Sequence, residues 1–195
     1  MAMTKYAVTT VELQRLCYSG HKRRHAIKFQ SVLTPDGLIL HLYGPVEGRR
    51  HDMTLYHESG LDATLASALL IEGQRYYVYG DTAYFIRPWL QAAFQGILTP
   101  QQEAFNASMK VPRTAVEWGF KDVKQVCSSL DFSRKLKIRE APVAQLYKIG
   151  VFIWNLRCCA YGGATASFFD VSPPTWEEYL GLEADAGAES AAASG

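Results

Sequence analysis

No apolar run in the sequence approaches the 18 residues that read as a bilayer-spanning helix; runs such as Ile149 to Trp154 are far too short. A spanning helix is excluded on that pattern. The opening residues, MAMTKYAVTT, place no basic segment before an apolar one, so no secretory signal is visible and the cell interior is the expected compartment. Cysteine is scarce, with four in 195 residues. Cys17 and Cys127 stand alone and Cys158 and Cys159 are neighbours on a helical stretch, so there is no CxxC pair or zinc-type spacing, and reduced, core-packed thiols are expected. Internal repeats are absent too. Basic residues are missing from the last 32 residues, where six acidic residues give −6, whereas residues 1 to 163 hold all 20 Lys and Arg against 13 of the 19 Asp and Glu, a surplus of seven. A basic body points to a polyanionic partner and an acidic tail to a solvated or self-masking extension; ordinary surface charge is the alternative.

What is present suits one globular domain. The length is about one domain's worth, and 48% apolar with 20% charged residues is enough to bury a core. From His25 to Leu33 the residues alternate, Ile27, Phe29, Ser31 and Leu33 against Lys28, Gln30 and Val32, which is the period of a strand. Thr34-Pro35-Asp36-Gly37 is turn chemistry, and a β-rich run resumes at Leu38, so residues 25 to 43 are expected to form an antiparallel hairpin. After Gly48-Arg49-Arg50-His51-Asp52 a helical pattern interrupted at Gly60 predicts two helical pieces. The short run 76 to 80, apolar on both faces, predicts a central strand of the hairpin's sheet. A short helix around Arg87 to Phe94 and a polar connection from Thr99 to Pro112 come next. Val116, Phe120, Val123, Cys127 and Leu130 recur with helical period, predicting a helix over 113 to 130. A second, over 141 to 161, is apolar almost all round and is expected to be largely buried, with Gly162-Gly163 as its stop. Residues 172 to 180 form an anchored short segment, and from 182 to 195 an acidic, aperiodic tail is expected to be disordered.

Three sets of residues could carry chemistry. Asp81 follows the short strand directly, where α/β folds place ligands and metals; an Asp closing its own turn before Thr82 is the alternative. Glu117 lies one position off its helix's apolar stripe with Arg113, Lys121 and Lys124 on the same face, and a solvated face with intrahelical ion pairs is the alternative. The basic clusters Lys22-Arg23-Arg24, Arg49-Arg50 and Arg134-Lys135 with Lys137 and Arg139 could neutralise phosphates or serve solubility. Asp52 opens a helix, where an N-cap competes with a metal ligand. A hairpin, a third strand, an acidic residue at that strand's end and another on a later helix follow the order of a ribonuclease-H-like nuclease core, in which clustered carboxylates hold two divalent cations.

Several blocks carry a family resemblance. Tyr18-Ser19-Gly20-His21-Lys22-Arg23, Gly44-Pro45 with Gly48-Arg49-Arg50-His51-Asp52, Gly80-Asp81-Thr82-Ala83-Tyr84, Phe105-Asn106 and Arg113-Thr114-Ala115-Val116-Glu117-Trp118-Gly119-Phe120-Lys121 resemble, in order, the blocks of Harbinger-type DDE superfamily transposases, also called DDE superfamily endonucleases. The resemblance runs from about Leu16 to Leu180. It implies an α/β, ribonuclease-H-like domain over 16 to 181, preceded by a non-family segment over 1 to 15. It further implies cleavage and transfer of DNA strands with Mg²⁺ or Mn²⁺, and Asp81 and Glu117, with 35 residues between them, as catalytic metal ligands. DNA would be steered by Lys22, Arg23, Arg24, Arg49, Arg50, Lys121 and Lys124. A nuclear setting, no membrane and a separate DNA-binding partner protein complete the expectation.

The departure is at the front. The family's first catalytic aspartate sits in an Asp-Gly-Thr block on the first strand, ahead of the Gly-His-Lys block, whereas the residues before His21 contain no aspartate. Neither Asp36, in the hairpin turn, nor Asp52 lies at the end of a first central strand. The chain is expected to correspond to the C-terminal part of the catalytic domain, with Lys5 to Thr10 β-prone enough to stand in partly for the first strand, and slow or absent cleavage is expected. The competing expectation is a non-catalytic remnant that keeps a DNA- or protein-binding surface.

Overall fold

The computed structural model describes residues 2–5, 7–8, 18–19, 24–126, 137–138 and 142–182. The first strands are short: Ala2–Lys5 (β1), Ala7–Val8 (β2) and Tyr18–Ser19 (β3). Arg24–Leu33 (β4) and Ile39–Glu47 (β5) form the expected antiparallel hairpin, from Ile27 opposite Glu47 to Leu33 opposite Ile39. Its turn closes with Gly37 N–H donating to the Thr34 carbonyl at 2.9 Å, and Gly37 has φ +87°, a conformation glycine adopts without steric cost. β1 pairs antiparallel with β4 over residues 26 to 29, so the hairpin's edge is covered there by Ala2–Lys5 and not by the expected Lys5 to Thr10. β2 pairs in parallel with a two-residue strand at Lys137–Ile138.

Alternation along β4 sends its side chains to two layers. Ile27 and Phe29 enter a core built with Phe120, Val123, Tyr147 and Trp154 of the two long helices, and Phe29 stacks on Tyr147 with ring centroids 4.6 Å apart. Lys28, Gln30 and Val32 turn to the helices Asp52–Glu58 (α1) and Leu61–Ala68 (α2), whose Tyr56, Leu61 and Leu65 form a second core with Leu90. These are the two expected helical pieces, and Gly60, at φ +68°, divides them. The ladder shifts register between Lys28 and Gln30, where Gly44 crosses closely: a Cβ there would lie 2.7 Å from the Lys28 carbonyl oxygen, at φ +135°.

Several expectations are corrected. Within 76 to 80 only Val78–Tyr79 (β8) pairs, in parallel with Leu90–Gln91 (β9), after a minor hairpin of Leu70–Ile71 (β6) and Gln74–Arg75 (β7). Among the described residues no ladder joins β8 to the main hairpin, so it is not a central strand of that sheet. Its apolar character has another cause: Val78 packs into the second core, while Tyr79 meets Phe105, ring centroids 6.1 Å apart. Residues 87 to 94 are not helical. Pro88 and a tight bridge, with Arg87 and Leu90 exchanging bonds of 2.7 and 3.1 Å, present Leu90 to β8 instead.

Thr99 to Pro112 is not a connection but the first half of a 27-residue helix, Pro100–Val126 (α3). Its start is a capping box: the Gln102 N–H donates to Thr99 Oγ1 at 3.3 Å and the Thr99 N–H to Gln102 Oε1 at 3.0 Å, with Pro100 in the first helical position. Gly119 brings α3 onto the sheet, for a Cβ there would lie 2.7 Å from Leu33 Cδ1. Residues 127 to 130 of the expected helix lie outside the described residues.

The helix expected over 141 to 161 spans Val143–Tyr161 (α4) and ends at Gly162. It clamps the hairpin turn through Trp154 Nε1, which donates to the Gly37 carbonyl at 3.1 Å, and through Asn155 on Ile39. It is not buried all round: Ile149, Phe152 and Ile153 are 53%, 46% and 40% exposed. Two short helices follow, Ala164–Phe169 (α5) and Trp176–Leu180 (α6), the latter begun by a Thr175–Glu178 capping box and anchored by Tyr179, whose hydroxyl accepts from Asn155 at 3.0 Å. The acidic tail beyond Leu182 lies outside the described residues.

Candidate active site

Asp81 sits where β8 leaves its ladder. Gly80 N–H donates to the Gln91 carbonyl at 2.7 Å and Tyr84 N–H to the Asp81 carbonyl at 3.0 Å, which fixes a tight turn. The Asp81 carboxylate accepts from the Thr82 N–H at 2.6 Å and the Thr82 hydroxyl at 3.2 Å, so the self-closing turn is present. It is not the whole role of Asp81. Arg113 Nη2 of α3 reaches the same oxygen, Asp81 Oδ1, at 3.3 Å, and both side chains remain substantially exposed, 39% for Asp81 and 44% for Arg113.

The turn is held from below by polar side chains of the sheet. Gln30 Nε2 donates to the Tyr84 hydroxyl at 3.1 Å, while the Ser59 hydroxyl donates to Gln30 Oε1 at 2.9 Å. Burial pushes the Tyr84 hydroxyl above its ordinary pKa, so it stays protonated around neutrality. From the other side, the Asn106 amide brackets Phe94, accepting from its N–H and donating to its carbonyl, each at 3.0 Å. Phe105 packs against both Tyr79 and Phe94. The Phe105-Asn106 pair thus locks α3 onto the strand pair that carries Asp81, and Arg113 is delivered two helical turns later. Glu117 stands one turn beyond Arg113 and is exposed. Among the described residues it makes no ion pair: Arg113, expected as its intrahelical partner, turns to Asp81 instead.

Asp52 is not the N-cap expected of it. It is the first residue of α1, preceded by His51 as N-cap without a side-chain cap bond, and its carboxylate pairs at 2.8 Å with Lys28, both largely buried. Lys28 also donates to the Arg50 carbonyl. Of the DNA-contact candidates, Arg50 is engaged, gripping Glu58 at 2.6 and 2.9 Å and Glu47 at 3.4 Å, whereas Arg49 and Lys121 are exposed and Lys124 half-buried. Lys22, Arg23, Arg134, Lys135 and Arg139 lie outside the described residues; Arg24 opens β4 and Lys137 lies in the strand facing β2.

Oxygen donors of this kind suit hard divalent cations in type. As arranged, they do not fit a pair of them. A guanidinium already stands at the Asp81 carboxylate, and among the described residues no group of three or more His, Cys, Asp or Glu comes together. Residues that sequence reasoning missed are Lys28, Gln30 and Asn106. The signal for the first two was available: polar residues alternating on one face of a strand whose other face is core must find partners in the covering layer.

A family model described as DDE superfamily endonuclease matches residues 4–155, more than half of the chain. No curated protein and no solved structure matches.

Proposed function

The chain belongs to the DDE superfamily endonucleases, and from that membership we propose that it is a Harbinger-type, transposase-derived domain that engages DNA beside Asp81 and Glu117. The observation that carries this is the Arg113–Asp81 contact: it joins the Gly-Asp-x-x-Tyr block to the Arg-x-x-Val-Glu block across the 28 residues between them and leaves Glu117 one turn away. In this reading the core is of the ribonuclease-H-like kind, with the separate β8–β9 pair as its departure. Divalent Mg²⁺ or Mn²⁺ is the family's cofactor, the nucleus the setting, and a separate DNA-binding protein a partner.

The chain's own residues support binding more strongly than chemistry. Exposed Arg49 and Lys121 offer phosphate contacts that need no metal. Cleavage requires enough carboxylate to hold two cations about 4 Å apart, and among the described residues no three His, Cys, Asp or Glu come together. The 195-residue chain therefore binds DNA better than it cuts it.

Purified protein assayed with supercoiled plasmid in Mg²⁺ or Mn²⁺, beside Asp81→Asn and Glu117→Gln, should nick slowly or not at all. It should still bind duplex DNA, with affinity falling steeply as salt rises. Robust nicking abolished by both substitutions would show that a third ligand comes from this chain, with Asp52 the first to test. Loss of DNA binding at low salt would defeat the functional reading altogether.

A further inference from the structure

The segment after α2 carries an apolar surface that is left open. Glu72 and Gly73, at φ +52° and +78°, form a two-residue turn whose twist matches that of its strands, so β6 and β7 make a preformed hairpin with Leu70 opposite Arg75 and Ile71 opposite Gln74. Neighbouring side chains on a strand point to opposite faces, and Leu70 and Ile71 are both half-exposed, so the hairpin is apolar and open on both sides. Tyr76 and Tyr77 continue from its base. The loop that bears Phe85 and Ile86 returns there too: Arg87 bridges to Leu90, and the Arg75 guanidinium lies over the Trp89 ring at 5.8 Å. The six apolar residues Leu70, Ile71, Tyr76, Tyr77, Phe85 and Ile86 are between 45% and 65% exposed. At half exposure, six side chains of this size leave roughly 600 Å² of apolar surface in the open. That is as much as the largest patch of an ordinary monomer. With its polar rim it comes close to the ~800 Å² per partner of a standard interface.

The charges on the rim say what fits it. Glu72 stands at the hairpin tip, and Arg75 and Arg87 stand at the base, about 10 Å back along the strands. Among the described residues neither Glu72 nor Arg87 is in an ion pair. A surface acidic at one end and basic at the other matches a copy of itself turned end for end. It suits a polyanion poorly, because the acidic tip would meet phosphate. We propose that this surface is a self-association interface: two copies of the chain meet about a two-fold axis with their β6–β7 hairpins antiparallel, the apolar side chains at the centre and Glu72 of each copy against Arg87 of the other. The interface uses neither Asp81 nor Glu117, so it is independent of the reading of those two residues.

The test is sedimentation velocity of the full chain across the micromolar range. The parent should pass from monomer to dimer as concentration rises. Ile71→Asp and Phe85→Asp each put a charge at the centre of the contact and should weaken association at least about tenfold. Ile153→Asp, on the exposed face of α4, should leave it as in the parent. Glu72→Arg alone and Arg87→Glu alone should each weaken it about three- to tenfold, and the two together in one chain should restore it, because the exchange re-creates both pairs. All five positions are exposed, so unfolding by circular dichroism should stay near the parent and folding is not the variable. A parent that stays monomeric throughout would overturn the proposal. So would a dimer that Ile71→Asp and Phe85→Asp leave intact, or one that Ile153→Asp breaks, which would move the interface to α4. Single charge reversals without effect, or a double exchange without rescue, would overturn the antiparallel arrangement. A monomeric parent whose DNA binding is abolished by Phe85→Asp would give the surface to nucleic acid instead.

Discussion

Ile39 begins a strand whose outward backbone groups have no neighbouring strand among the described residues, and Asn155 takes that place. Its Oδ1 accepts from the Ile39 N–H and its Nδ2 donates to the Ile39 carbonyl, both at 3.0 Å, with the side chain 2% exposed. A carboxamide has a donor and an acceptor in the spacing of a peptide group, so it satisfies both at once. Asn155→Ala leaves a buried N–H and carbonyl without partners. It should cost about 2–4 kcal/mol, read from urea unfolding, with faster amide exchange at Ile39. A loss below about 1 kcal/mol would mean that water replaces the amide. The same accounting explains Lys28 and Asp52: each is largely covered by the layer above the sheet, and each takes the other as partner.

Among the elements, α3 shows how a polar stretch becomes helix. Thr99, Pro100 and Gln102 supply the start, and the aromatic contacts of Phe105 supply the packing. Neither effect belongs to the apolar periodicity that begins at Val116. Inside the helix Pro112 withholds one backbone donor. Pro112→Ala restores it and should raise the unfolding free energy by about 1–3 kcal/mol in urea titration. No gain would show that the proline ring makes contacts worth as much as the missing bond. In α4 the opposite mismatch holds, because Ile149, Phe152 and Ile153 are apolar yet open to solvent. A helix can be apolar all round only in sequence terms; burial depends on how many neighbours the fold supplies, and here α3, α6 and the hairpin cover one side.

For the whole molecule, pH reports on the two cores together. Burial pushes the Cys158 thiol up to about 12 from its ordinary 9.0. Burial, then the hydrogen bond to Asp62, pushes Tyr56 up to about 12 from 10.0. Both groups hold their protons more tightly when folded. Their contribution is therefore complete below pH 9 and is lost as pH rises toward 12, so unfolding midpoints should fall steadily above pH 9. Cys158→Ala should flatten part of that slope; an unchanged slope would remove the thiol from the account. Asp62 runs the other way. The Tyr56 hydroxyl donates to its carboxylate at 2.6 Å and holds its pKa below the ordinary 3.8, a contribution present above that value and lost in acid.

The sequence by itself determined what depends on near neighbours. Proline followed by Asp and Gly set the hairpin turn, alternation set which β4 residues face which layer, Gly60 divided the helices and Gly162 ended α4. Each of these is fixed by backbone sterics or by a repeat within a few residues. The ordered blocks likewise carried the family, and Asp81 could be placed at the end of a strand. Only the tertiary structure decided the partners: β8 with β9 and not with the hairpin, Arg113 with Asp81 and not with Glu117, Asp52 with Lys28. A charge or a two-residue strand has several possible partners of similar energy along the chain, and the choice falls to whichever group the packing of Phe105, Asn106, Gln30 and Tyr84 brings within reach.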